Sequence, residues 1–195
     1  PSGAAKPARR SWSSWLLLLF AAASAGLVVR VADELRAHAD QRMAVLDELG
    51  PLATAATAHS AIVWKALTLI STDAPHAFGQ LRGKEQIGRG ELYAMLEQLR
   101  ELDARGSTMN ARLGYPYDPA RMERLEQVTG AFLAGVQGAF GQMNLSVDRI
   151  RQRLGTWDMD FGAFEEVLAE VREHNAELAQ AASRAAGPTP ALAGR

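Results

Sequence analysis

Four histidines carry the side chains best suited to acid–base chemistry or metal binding. They are His38, His59, His76 and His174, and the helical pattern described below places each on a different element. Glu34 precedes His38 by four positions, and Glu170 precedes His174 by the same spacing, which is typical of an ordinary surface pair on a helix. Di-iron helix bundles use Glu-x-x-His, a spacing of three, instead. We therefore predict no metal site.

The remaining reactive groups do not form a catalytic motif. The sequence has no cysteine, which excludes disulfides, thiolate metal ligands, a thiol nucleophile and covalent haem attachment. The segment GQLRGKEQIGRG, residues 79–90, combines glycines with Arg82, Lys84 and Arg89 and could surround an anion. It lacks the Gly-Lys-Ser/Thr of a phosphate-binding loop, so a solvated connector explains it better. We predict no catalytic residue, no cofactor and no enzymatic activity.

Two residues in apolar surroundings are candidates for a more specific role. Asn175 lies on the apolar stripe of the last predicted helix, where a polar residue can fix register or oligomeric state. Helix rotation could equally place it at the edge of a bundle. Trp64, followed by Lys65, is either a core anchor or part of a ligand pocket, and the core interpretation fits large aromatic residues better. The sequence identifies no ligand-binding residue.

An uncharged apolar segment near the N-terminus predicts a membrane-spanning helix. Residues 11–29, SWSSWLLLLFAAASAGLVV, directly follow Lys6, Arg9 and Arg10. At about 1.5 Å rise per residue the segment reaches roughly 28 Å, close to the thickness of a bilayer's hydrocarbon core. Because basic residues favour the cytoplasmic side, the chain after it is expected outside. We predict a cytoplasmic basic tail over residues 1–11 and a transmembrane helix over 12–31.

A cleavable signal peptide is the alternative for this segment. Ala23-Ser24-Ala25 before Gly26 fits the small-x-small cleavage pattern, and cleavage there would release a soluble, exported helical binding protein. The apolar run continues through Val29, however, whereas a signal peptide turns polar after a short apolar region. No proline interrupts residues 16–49 either. An uncleaved anchor that runs into a long outer helix fits the pattern better.

Charged residues are distributed unevenly along the chain, and their balance argues against nucleic acid as a partner. The whole chain of 195 residues has a net charge of −1. Residues 1–30 hold four basic and no acidic residues, so the remainder holds 17 basic and 22 acidic residues and has a net charge of −5. A mildly acidic outer region gives no support for binding nucleic acid.

Apolar residues after the membrane segment recur at spacings of three and four, which predicts helices throughout and no strand. Gly50-Pro51 is predicted to end the first long helix and to begin the next. Residues 73–90, rich in glycine, are predicted to be a loop or short irregular segment. The linker GYPYDP, residues 114–119, is predicted to separate two helices, with Asp118 as the cap and Pro119 in the first helical position.

The two C-terminal helices have the clearest apolar stripes. One is predicted from Pro119 to about Leu154, the next begins at Phe161, and residues 155–160 interrupt them. The first stripe comprises Met122, Leu125, Thr129, Phe132, Val136, Ala139, Met143, Ser146/Val147, Ile150 and Leu154, and the second comprises Phe161, Phe164, Leu168, Val171, Asn175, Leu178 and Ala182. We predict an all-α chain in which the transmembrane helix continues into an up-down four-helix-type bundle over residues 32–186, followed by a linker or tail over 187–195.

Residues 127–147 allow a rival interpretation as a second membrane crossing. They carry no charge, and Arg149, Arg151 and Arg153 follow them. Interior glutamine and asparagine side chains are costly in hydrocarbon, and the segment contains four glycines. A bundle helix explains it better.

The layout resembles the extracytoplasmic input domains of bacterial transmembrane receptors, which include chemotaxis transducers, sensor histidine kinases and membrane-bound diguanylate cyclases. The matching parts are residues 6–29, the exit helix to Leu49, and the heptad-like helices from Pro119 to Ala186. The resemblance implies a periplasmic sensory module in the bacterial inner membrane, with its N-terminus inside. It also implies a homodimer with the last helix as the seam, and a signal that passes through the transmembrane helix when a small molecule or envelope protein binds.

A protein of another class fits the same layout. A single-span envelope scaffold or assembly protein would use its bundle to bind another protein. The reading frame beyond Arg195 separates the two roles: an apolar segment with a signalling domain supports the receptor, and a stop codon supports the scaffold.

Overall fold

The computed structural model describes residues 12–70, 75–115, 118–141 and 147–187. They form five helices: α1 (Trp12–Ile70), α2 (Pro75–Arg105), α3 (Ser107–Arg112), α4 (Ala120–Gly141) and α5 (Val147–Ala186). These ranges contain no strand, which confirms the all-α prediction.

The four long helices form an up-down bundle. α1 packs against α2 and α5, α4 packs against α5, and α2 contacts α4 along a shorter stretch. Each large interface is antiparallel, because residue numbers rise along one helix and fall along the other from contact to contact. The contacts are Arg42–Asp103 and His59–Glu85 for α1 and α2, Arg42–Asn175 and Trp64–Trp157 for α1 and α5, and Arg124–Glu170 and Phe132–Phe161 for α4 and α5. The sequence prediction of a four-helix-type bundle is confirmed.

The apolar stripes of the two C-terminal helices form much of the core. Met122, Leu125, Thr129, Phe132 and Val136 are buried on α4, and Phe164, Leu168, Val171, Asn175, Leu178 and Ala182 are buried on α5. Phe161 is partly buried and packs against them. Both predicted stripes are therefore confirmed over these residues, and the side chains from position 139 to 154 of the first stripe lie outside the described ones.

The predicted break at Gly50-Pro51 is wrong, because α1 continues through it as one helix of 59 residues. Pro51 cannot donate a backbone hydrogen bond to the preceding turn, which weakens a helix at that point. Leu49 and Leu52 are both fully buried on the bundle side of the same turn. Burial of these side chains outweighs the local cost of the proline.

The predicted loop over residues 73–90 is also wrong from Pro75 onward, where α2 begins. Proline fits the first turn of a helix, since its missing N–H has no partner there. Further along, Leu81, Glu85 and Leu92 are buried on one face. Packing along that face holds the glycine-rich sequence in a helix. Residues 73 and 74 lie outside the described ones.

The boundaries of the C-terminal helices also differ from the predictions. α4 ends at Gly141, and α5 begins at Val147 and continues through the predicted interruption at 155–160. Trp157, in the middle of that interruption, is buried and stacks on Phe161 with ring centroids 5.8 Å apart. This aromatic packing favours helix over the second half of the predicted interruption.

Asp118 caps the N-terminus of α4 as predicted. The backbone N–H of Ala120 donates to Asp118 Oδ1 at 3.0 Å, so the predicted cap is confirmed. α4 is assigned from Ala120, one residue after Pro119. The short helix α3, which the sequence did not predict, follows Gly106 and ends before Gly114, whose φ of 85° suits glycine.

In the described residues, α1 is the one helix long and apolar enough to cross a membrane. Its most apolar window has a mean hydropathy of 2.0, and none of that window is buried. The described side chains from Trp15 to Val31 are exposed apart from Ser24, which is partly buried. The rival segment 127–147 differs, because Phe132 and Val136 are buried in the bundle; residues 142–146 lie outside the described ones.

Candidate functional site

Two groups of buried polar side chains join α1 to its neighbouring helices. The proximal cluster, nearer the exposed apolar segment, comprises Arg42, Asp103 and Asn175. The distal pair comprises His59 of α1 and Glu85 of α2. Arg42 lies about 18 Å along the helix from Arg30, and His59 about 26 Å further. One continuous helix therefore carries the apolar segment and both polar groups.

The proximal cluster joins three helices through one guanidinium. Arg42 is 0% exposed, and its Nη1 donates to Asp103 Oδ1 at 2.7 Å and to Asn175 Oδ1 at 3.2 Å. Its Nη2 donates to the backbone oxygen of Asp103 at 2.9 Å. The Asn175 amide donates to the Val171 carbonyl at 3.0 Å, which orients its oxygen toward the arginine. This network fixes the axial position of α1 relative to α2 and α5.

Gly106, between α2 and α3, makes room for the guanidinium. A Cβ atom at this position would overlap Arg42 Nη2, and the next nearest atoms are also in the Arg42 head group. The backbone of Gly106 has φ −87° and ψ −1°, values that other residues adopt without strain. The space, and not the backbone conformation, therefore requires glycine here.

We expect Gly106→Ala to lower the free energy of unfolding by about 1–3 kcal/mol, the usual cost of overpacking. The methyl group must displace the Arg42 guanidinium from its partners. Gly83→Ala is the matched control, since its Cβ meets nothing within 4 Å and alanine favours a helix. Urea denaturation followed by circular dichroism in detergent micelles measures both. Equal stability of the two variants would refute the steric role of Gly106.

A small cleft beside the proximal cluster is too small for an organic ligand. Asp103, Asn110, Asp118 and His174 contribute to its lining, and its volume is about 10 Å³. This is room for about one water molecule. Asn110, whose Oδ1 makes no hydrogen bond of good geometry among the described residues, is one of the lining residues. The proximal cluster therefore holds three helices together and does not form a pocket for an organic ligand.

Burial lowers the pKa of two further histidines near the proximal cluster. For His38, the positive charge of Arg42 adds to the effect of burial, and the side chain of Asn110 opposes it. For His174, Arg121 adds to the effect of burial, while Asp103 and Glu177 oppose it. Both histidines therefore favour the neutral form.

The distal pair is buried, and three of its polar atoms make no hydrogen bond among the described residues. His59 is 1% exposed, and its Nε2 lies 3.9 Å from Glu85 Oε1, too far for a hydrogen bond. Among the described residues, neither His59 ring nitrogen nor Glu85 Oε1 has a hydrogen-bond partner. The His59 ring packs edge-on against Phe132 at 5.7 Å, and Arg89 Nε lies 3.5 Å from Glu85 Oε1.

The environment of the distal pair favours neutral forms. Burial, with a smaller contribution from Arg89, lowers the pKa of His59 to about 4. Burial also raises the pKa of Glu85, although Arg89 and Arg82 act in the opposite direction. His59 is therefore a neutral donor and acceptor near pH 7.

The lowered pKa of His59 predicts a loss of stability in acid. Between pH 6.5 and about 4 the unfolded chain binds a proton at this histidine while the folded chain does not, so unfolding becomes easier as the pH falls. We expect the wild type to lose about 3 kcal/mol at most across this window relative to His59→Phe. Glu85 contributes with the opposite sign, because its raised pKa favours the folded state on acidification, and it is present in both proteins. Urea denaturation at a series of pH values measures the difference, and parallel pH profiles would contradict the prediction.

A groove between α1 and α2 lies over His59 of the distal pair. Its volume is about 270 Å³, and Ala55, Ala58, His59 and Ile62 line it from α1. Lys84, Ile87, Gly88 and Glu91 line it from α2. A Cβ atom on Gly88 would lie 3.0 Å from His59 Nδ1, so the missing side chain lets the imidazole approach α2 closely. This is the site in the described residues that best suits a small ligand.

The structure decides between the two interpretations of Asn175 and corrects the predictions for Trp64 and two of the histidines. Asn175 lies in the core and not at the bundle edge, since it is buried and bonded to Arg42. Trp64 is 50% exposed and contacts Trp157 edge-on at 5.9 Å, so the core interpretation is wrong. His38 and His59 share α1 and not two separate elements.

The predicted surface pairs of the histidines do not form. Glu34 pairs with Arg30 and Arg112, and Glu170 pairs with Arg124. No group of three or more potential metal ligands occurs within the described ranges, and the side chain of His76 lies outside them. Arg82, Lys84 and Arg89 lie on a helix and do not form the loop that could surround an anion.

Arg42, Asp103, Gly106 and Glu85 were not recognised from the sequence. Arg42 occupies a position of the apolar stripe between Leu35, Val45 and Leu49, all of which are buried. A charged residue on such a stripe is the signal that could have identified it. Glu85 follows Leu81 by four residues in the same way, but the loop interpretation of residues 73–90 concealed this pattern.

No protein-family model, curated protein or solved structure matches this chain. The function is therefore inferred from the geometry of the chain itself.

Proposed function

We propose that this chain is a membrane-anchored sensory input module. In this proposal residues 12–31 span the bacterial inner membrane, the basic tail is cytoplasmic and the bundle is periplasmic. The basic residues directly before the apolar segment, Lys6, Arg9 and Arg10, support this orientation. Binding of a small molecule or another envelope protein would change the packing of the bundle.

The continuity of α1 is the observation that carries the proposal. The apolar segment, Arg42 and His59 all belong to one helix of 59 residues. Small helix shifts are a common way of passing a signal between sites. A ligand that binds one packing of α1 and α2 more tightly than another shifts the population toward that packing. The shift would then reach the membrane along α1.

We expect a change in the distal groove to move α1 relative to α5 near the membrane. Gly88→Leu imitates a bound ligand, since its side chain must displace His59. Spin labels on Ala37→Cys and Gln180→Cys report the distance between α1 and α5, and both positions are exposed. The absence of native cysteines makes these labels unique. Electron–electron double resonance in lipid nanodiscs should show a shift of about 1–2 Å.

Gly90→Leu is the control for this experiment. Gly90 lies on the same helix, and its Cβ meets nothing within 4 Å. It changes helix propensity to the same extent as Gly88→Leu but does not touch His59. Identical distance distributions for the two variants would count against transmission along α1.

A scaffold that binds another envelope protein is the second candidate. It is favoured by two exposed apolar side chains far from the apolar segment, Trp64 at 50% and Met159 at 77% exposure. Exposed large apolar groups are characteristic of protein-binding surfaces when they form a patch. A photo-crosslinking residue at position 159 that captures one defined membrane protein, when position 173 does not, would support this role.

Homodimerisation stays a prediction. The α5 stripe that suggested a dimer seam faces the chain's own core, since Phe164, Val171 and Leu178 are buried. A dimer contact therefore has to use another face of the bundle. Light scattering of the chain in detergent at several concentrations measures the oligomeric state.

A further inference from the structure

We propose that the groove between α1 and α2 binds a short zwitterionic peptide of about three small residues in extended form. Its carboxylate would lie beside Lys84 and its ammonium beside Glu91. This inference rests on the proposed sensory function, which does not specify a ligand. It is carried by the charges, the length and the unused hydrogen-bonding groups of the groove.

The two charges of the groove select a zwitterion of defined length. Lys84 and Glu91 both line the groove and are seven residues apart on α2, so they lie on one face two turns apart. Their separation along the helix axis is about 10.5 Å. A peptide of three residues in extended form covers about 10 Å. A ligand with a single charge would gain one favourable contact and leave the other end unpaired.

A buried partner for a peptide group lies beneath the middle of the groove. His59 lines it midway between the two charged residues, next to Gly88. The neutral imidazole has one donor and one acceptor, and neither nitrogen has a hydrogen-bond partner among the described residues. A peptide C=O and N–H provide the complementary acceptor and donor. Rotation of the ring toward the groove would satisfy groups that are costly to leave unpaired when buried.

The walls of the groove restrict the side chains of the ligand. Ala55, Ala58, Ile62 and Ile87 make its walls apolar, and its volume of about 270 Å³ is small. Small-molecule sites range from about 300 to 1,000 Å³, so this groove is at the lower limit. Alanine and glycine side chains fit these walls, whereas aromatic side chains exceed the space.

The test is calorimetric titration of the full chain in nanodiscs with trialanine at pH 7. We expect saturable binding that weakens about tenfold in Lys84→Glu and in Glu91→Lys, and that returns when the two are combined because the peptide can bind in reverse. Blocking both peptide termini should abolish binding. Lys65→Glu and Glu97→Lys, which change exposed residues outside the groove lining, should bind as the wild type does. Circular dichroism verifies that each variant is folded.

A second comparison tests whether the groove recognises peptide groups or only two opposite charges. 8-Aminooctanoate carries the same two charges without peptide groups, so we expect it to bind at least tenfold more weakly than trialanine, and His59→Phe should remove that preference. Equal binding of the two compounds to the wild type would overturn the peptide assignment. Absence of trialanine binding would overturn the whole inference. If Gly88→Leu still moves the spin labels in that case, the sensory proposal stands without this ligand; binding without movement would instead refute the sensory proposal alone.

Discussion

Asp103→Ala is expected to lower the free energy of unfolding by about 3–5 kcal/mol, the usual cost of removing one partner from a buried ion pair. The Arg42 guanidinium would remain fully buried, with only the Asp103 backbone oxygen and the Asn175 amide as partners. Its positive charge would then be largely uncompensated. Urea denaturation followed by circular dichroism in detergent micelles measures the change.

The control for Asp103→Ala is a charge pair at the surface. Glu170→Ala removes the partner of Arg124, and both side chains of that pair are about half exposed, at 43% and 54%. Solvent screens such pairs, so we expect a loss of about 1 kcal/mol or less. The double replacement Arg42→Met with Asp103→Leu should recover most of the stability, because no buried charge remains. Equal losses for Asp103→Ala and Glu170→Ala would show that the proximal cluster does not hold the bundle together.

Phe132→Ala is expected to cost about 3–5 kcal/mol, the range for removing a fully buried aromatic side chain. Phe132 is the centre of the aromatic core, and its ring lies within 6.0 Å of His59, Trp157, Phe161 and Phe164. Its removal would leave a cavity where α1, α4 and α5 meet. The same denaturation experiment measures the loss.

Two control variants, Phe132→Leu and Tyr93→Ala, test whether the loss of stability comes from the buried ring. Leucine fills part of the cavity, so its cost should be clearly smaller than that of alanine. Tyr93 is 49% exposed, and its replacement should change stability far less. A value for Phe132→Ala close to that for Tyr93→Ala would mean that the aromatic cluster is not a source of stability.

Helical periodicity predicted the parts of the fold that depend on one helix at a time. The stripe containing Leu125 and Phe132 is buried as expected, and so is the stripe containing Phe164 and Leu178. Each stripe is a property of neighbouring turns, and its spacing is visible in the sequence.

Local helix breakers misled the prediction where tertiary packing opposed them. Pro51 and the glycines of residues 79–90 disfavour helix in isolation, by about 1 kcal/mol for each glycine. Leu49 and Leu52 are buried beside Pro51, and Leu81 and Leu92 are buried along the glycine-rich stretch, so packing against neighbouring helices opposes the local cost. The sequence pattern alone does not show which neighbouring helix will cover a given face.

The polar groups were the least predictable, because their partners are far apart in the chain. Arg42 is 61 residues from Asp103 and 133 residues from Asn175. Neither spacing corresponds to a motif, and each contact exists only once the antiparallel register is set. Asn175 was recognised as unusual from its own helix, but its partner could not be inferred in the same way.

The register of α1 and α5 has one more consequence. Arg42 faces Asn175, and counting twelve residues back along α1 and twelve forward along α5 brings Arg30 level with Gly187, where α5 has ended. Residue 30 and the end of α5 thus lie side by side at the same end of the bundle, next to the exposed apolar segment. An axial shift of α1 relative to α5 would therefore displace residue 30 from the end of α5 at this boundary. The Arg42–Asn175 contact sets the resting register from which such a shift is measured.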